Sequence, residues 1–79
     1  MQYKVLWHGE SANNQRGHFY WTPGTPPDGT RLRIIQTTVC GQVSGQGKGT
    51  EATFTRDRWL VADDGRPVSV YHEMTLETV

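Results

Sequence analysis

Apolar positions fall in short stretches along the chain, with no long apolar run. Between glycines and prolines lie short runs of Thr, Val and aromatic residues in which apolar and polar positions alternate, the period of a half-buried strand. Read this way, strands fall at about 2–8, 16–22, 30–40, 50–55, 57–63 and 67–77. No window sustains an apolar repeat of about 3.6 residues, so no helix longer than two turns is expected. The nearest helical candidate, Glu10 to Gln15, holds two Asn and no apolar partner, and reads as a loop. The prediction is a single all-β domain over residues 1–79. It is a small antiparallel barrel or rolled sheet of five to six short strands, with little or no helix.

Turn chemistry sharpens part of this picture. Asp64-Gly65 suits a two-residue type I′ turn, whose central positions both need positive φ. That turn would set Val61 opposite Val68 and Trp59 opposite Val70, and place all four on one face with Met74 and Leu76. It would also set Asp57 opposite His72, where a carboxylate beside an imidazole favours the charged ring. Thr22 to Gly29 holds three prolines and reads as a stiff connection. Gly41 to Gly49 holds four glycines and no bulky anchor except Val43, so it is expected to be a mobile tip.

Composition removes whole classes. The 79 residues and 8.9 kDa leave room for one small core. Eight basic and eight acidic side chains cancel, against the basic excess of a histone-like or polybasic binder. No stretch approaches a membrane span, and the N-terminal Met1 to His8 segment lacks the pattern of a secretory signal. The lone Cys40 cannot form an internal disulfide; with no such framework the expected setting is the reducing cytoplasm. The sign of charge is uneven, residues 1–56 being net basic and 57–79 net acidic, a weak dipole able to steer a charged partner.

Candidate chemistry is sparse. Gly47-Lys48-Gly49-Thr50 misses the P-loop spacing and opens no helix. Cys40, His8, His18 and His72 lie at least nine positions apart, without the paired spacing that marks zinc ligands. No metal, cofactor or catalytic residue is assigned, and an enzyme is not expected, because no nucleophile, base and oxyanion donor come together.

One run stands apart. His18-Phe19-Tyr20-Trp21 on a strand sends Phe19 and Trp21 to one face and His18 and Tyr20 to the other. Arg31 and Arg33 share a parity with Ile35 and Thr37 and are expected to face solvent. Phe19, Tyr20, Trp21, Arg16, Arg31 and Arg33 are therefore the candidate binding residues, a combination of aromatics and arginine that suits a protein hot spot. The expected function is a stand-alone protein-binding module, an accessory or inhibitory factor that occupies a surface of a larger protein or complex. Proteins of this size encoded by phages and mobile elements, anti-CRISPR proteins among them, set that expectation through length alone. Two alternatives remain open. One is a self-assembling subunit, a homodimer included, joined through sheet edges at 2–8 or 67–77. The other is a small β-barrel that stacks single-stranded nucleic acid on Tyr20, Trp21 or Tyr3.

Overall fold

A computed structural model describes residues 1–9, 17–45, 47–70 and 72–79. Among them every regular element is a strand: β1 (Gln2–Gly9), β2 (Gly17–Thr22), β3 (Arg31–Val39), β4 (Gln42–Ser44), β5 (Glu51–Thr55), β6 (Trp59–Ala62) and β7 (Glu73–Thr78). All pairings are antiparallel, in the order β2-β1-β7-β3-β5-β6, with β4 hydrogen-bonded to β3 off this path. The sheet curls into a half-barrel, as the all-β prediction required. The expected Glu10–Gln15 loop lies outside the described residues.

Parity explains the curl. Opposed residues of an antiparallel ladder share a face, and the registers carry one apolar row across five strands. Trp21 meets Val5, Val5 meets Met74, Tyr3 meets Leu76, Leu76 meets Ile34, and Leu32 meets Ala52. With Trp7, Phe54, Leu60 and Val70 these residues form the buried core on the concave face. A bulge in β3 at Ile35 shifts the register between Ile34 and Gln36. Beyond it the parity inverts, so Thr37 turns inward opposite Met74 and is 2% exposed. The expectation that Thr37 shares the solvent face of Arg31 and Arg33 is thereby corrected, because strict alternation does not survive an inserted residue.

The C-terminal hairpin also differs from its expected register. Val61 bridges Pro67, Ala62 N donates to Arg66 O at 2.9 Å and Val68 N to Leu60 O at 2.9 Å, a slip of one residue. The loop holds three residues, with Gly65 at φ 84 and its N–H on Ala62 O. This is a tight turn closed by a left-handed glycine. Asp64 Oδ1 accepts the Arg66 N–H at 3.0 Å and Arg31 grips Asp63, so both acids favour the longer loop. The return segment also leaves the hairpin. The strand expected at 67–77 is regular only as β7, which inserts between β1 and β3. His72 O accepts the Trp7 N–H at 2.9 Å, whereas Asp57 lies in the turn between β5 and β6. The expected Asp57–His72 pair does not form.

The glycine-rich segment is more ordered in its bonding than expected. Cys40 and Gly41, at φ 52 and 79, make a two-residue turn between Val39 and its partner Gln42, the type I′ geometry written without Asn-Gly. Further along, the N–H groups of Lys48, Gly49 and Thr50 already donate to Gly45, Ile34 and Gly47 carbonyls. Those donors are therefore not free to cradle a phosphate. The proline-rich connection is pinned as expected: Pro26 is buried, Gly29 N donates to Phe54 O at 2.7 Å, and Asp28 Oδ1 accepts the Arg56 N–H at 3.0 Å.

Candidate binding surface

Among the described residues β2 ends the hydrogen-bonded order and pairs only with β1. Its alternation is as read from the sequence. Phe19 and Trp21 face inward and pack half-buried against the core, while His18 and Tyr20 are exposed, Tyr20 by 53%. No hydrogen-bonded ladder joins β2 to β6 at the far end of the sheet. Aromatic rings span the opening instead. Trp7 meets Phe19 at 4.8 Å, Phe19 meets Trp59 at 4.4 Å, Trp59 meets Phe54 at 6.0 Å, Phe54 meets Trp21 at 5.4 Å and Trp21 meets Tyr3 at 6.2 Å. Each such pair adds about 0.5–1.5 kcal/mol beyond the area it buries. Trp59 reaches this circuit from a left-handed backbone, φ 61, a conformation that costs a non-glycine residue about 1–2 kcal/mol. The Trp21 indole N–H is buried without an acceptor among the described residues, and ring packing holds that side chain.

Phe19 and Trp21 are therefore anchors that hold the edge strand, and Tyr20 is the ring they present. Its outer-face neighbour is His8 on β1, ring centroids 5.2 Å apart and nearly perpendicular. Residues 17–22 carry no Asp, Glu, Lys or Arg and no Pro, the devices by which sheet edges are normally guarded.

The arginines stand elsewhere on the same convex face. Arg31 donates to Asp63 Oδ1 and Glu51 Oε1 at 3.0 Å each, and Arg33 lies 3.6 Å from Glu51 and 4.0 Å from Glu77. The hydrogen bonds that Arg31 donates to Asp63 first, then to Glu51, raise its pKa above the ordinary arginine value. From β2 to β3 is three strand spacings, about 14 Å. The registers offset Arg33 from Tyr20 by four residues, about 13 Å along the strands. The structure does not bring Arg31 or Arg33 beside the aromatic run, and Arg16 lies outside the described residues. Their carboxylate partners were missed because they come from β5, β7 and the Asp63 turn, contacts that no sequence spacing marks.

Of the four potential metal ligands, the fold pairs two. His8 and His18 are direct partners across β1 and β2, while Cys40 sits on the β3–β4 turn and His72 opposite Trp7. Among the described residues no three of His, Cys, Asp and Glu gather as a metal group, and no helix is long and apolar enough to cross a membrane. No family model, curated protein or solved structure matches this chain.

Proposed function

We propose that the chain is a protein-binding module whose contact surface is the free edge of β2 together with the outward Tyr20 and His18. A single observation carries this reading. An uncharged edge strand is locked from within by Phe19 and Trp21 while Tyr20 stands 53% exposed on the outer face. A strand held in place on one side and, among the described residues, unpaired on the other is a template for an added strand. Its rigidity keeps the ordering cost of binding low. Carboxylates on both Arg31 and Arg33 favour a protein partner over nucleic acid, since phosphate contacts need cations free of internal partners. An accessory or inhibitory role on a larger cytoplasmic complex, of the kind supplied by phages and mobile elements, is the setting in which a chain this small acts by occupying a surface. Self-assembly through 2–8 or 67–77 loses its support, because β1 and β7 are paired on both sides.

The test is an affinity pull-down of the tagged chain from lysate, with and without nuclease, read by mass spectrometry. A stoichiometric protein partner that persists after nuclease supports the module. Recovery that collapses after nuclease, or falls steeply between low and moderate salt, assigns the surface to nucleic acid instead.

A further inference from the structure

His8 and His18 are directly opposed in the β1–β2 register, and both are exposed. Opposed side chains on an antiparallel pair point the same way, with Cβ atoms about 4.5–5.5 Å apart. Two imidazoles so placed can each aim one ring nitrogen at a common point. A borderline divalent ion, bound by each nitrogen at about 2.0–2.1 Å, spans that separation. The next rung is Gly9 opposite Gly17, so no side chain crowds the pair from that rung. On the other side the Tyr20 ring meets His8 edge-on at 5.2 Å and restricts its swing. The described cation on this face of β1, Lys4, is engaged by Glu73 at 3.4 Å, and Leu6 separates it from His8.

We propose that His8 and His18 form a two-imidazole site for a borderline divalent transition ion (zinc, nickel or copper(II)), with water completing the shell. With two protein ligands the site is open and exchanging rather than a closed structural one. It clips the edge strand β2 to β1 one turn of alternation from Tyr20. Occupancy therefore stabilises the strand on which the proposed contact surface is built, whatever partner that surface takes.

The probe is nickel chloride titrated into the full chain, followed by thermal unfolding and by the ring and amide signals in NMR. Nickel is expected to raise the unfolding temperature and to broaden residues 6–9 and 17–20 first. His8→Gln and His18→Gln should each weaken binding by more than the roughly tenfold lost with a supporting partner. His72→Gln and Cys40→Ser should leave it unchanged. Broadening centred on another region of the wild-type chain overturns the site without any variant having to fold. So does undiminished affinity in the His8→Gln/His18→Gln double variant, an equal loss in His72→Gln or Cys40→Ser, or no response of the wild-type protein.

Discussion

Single residues carry local conflicts that the fold resolves, and two of them make measurable predictions. Cys40 occupies the first position of a type I′ turn at φ 52, where Asn is at ease and a thiol gains nothing. Cys40→Asn should therefore raise stability by about 0.5–1 kcal/mol, read from the denaturation midpoint at unchanged slope. Destabilisation would mean that the thiol makes a contact the turn depends on. Arg31 is the second case. Its raised pKa contributes stability that is present below the ordinary arginine value and lost only as pH climbs through the raised one, in strongly alkaline solution. Arg31 itself thus gives no pH dependence near neutrality, and the sensitivity of the cluster lies in salt. Added salt should erode stability in the wild type and do so less in Asp63→Asn, since an exposed pair is screened. Equal salt responses in the two proteins would remove Asp63 from the account.

At the scale of elements, β2 makes the clearest division between folding and binding. Phe19→Ala and Trp21→Ala remove rings packed on the core and should each cost about 2–3 kcal/mol of stability, somewhat below the value for a fully buried aromatic. Tyr20→Ala should shift stability by under about 1 kcal/mol, within the β-propensity range, yet weaken partner binding by about 2 kcal/mol. Calorimetry of the three variants checks the first half, and titration with the captured partner the second. Alternation separated the two faces of this strand but did not say which of them the core takes, so Phe19 and Trp21 stood with Tyr20 among the expected binding residues until packing placed them inward. The C-terminal hairpin shows where legibility stops. Asp64-Gly65 marked a turn correctly, but a turn dipeptide does not state the loop length. The three-residue loop, favoured by Asp63 on Arg31 and Asp64 on the Arg66 amide, moved every pairing by one. Likewise nothing local says that the chain after Val70 departs to insert β7 between β1 and β3. Ile35 failed differently, since a bulge is one inserted residue and leaves no compositional mark.

For the whole molecule, closure through rings rather than through a backbone ladder is the defining property. β2 and β6 meet by Phe19 and Trp59, not by hydrogen bonds, so removing one ring loosens the seam. Trp59→Ala should lower stability by about 2 kcal/mol, the lost packing exceeding the relief of its left-handed backbone. It should also raise amide exchange in β2 ahead of β3 and β7, which are paired on both sides. Uniform exchange across the sheet would contradict closure by rings. The small all-β architecture was legible in the strand composition and the turns. The strand order was not, since every non-consecutive pairing is a long-range choice made by packing. The central claim is that a neutral half-barrel offers the edge of β2 to a partner protein. It is tested most directly by comparing the wild type with Tyr20→Lys, which places a guarding charge on the outer face of that edge, in parallel pull-downs after nuclease treatment with unfolding temperatures recorded for both. The account predicts that the partner is lost with Tyr20→Lys while the unfolding temperature stays within a few degrees, about the shift expected for under 1 kcal/mol. Equal recovery of the same partner by both proteins would contradict it.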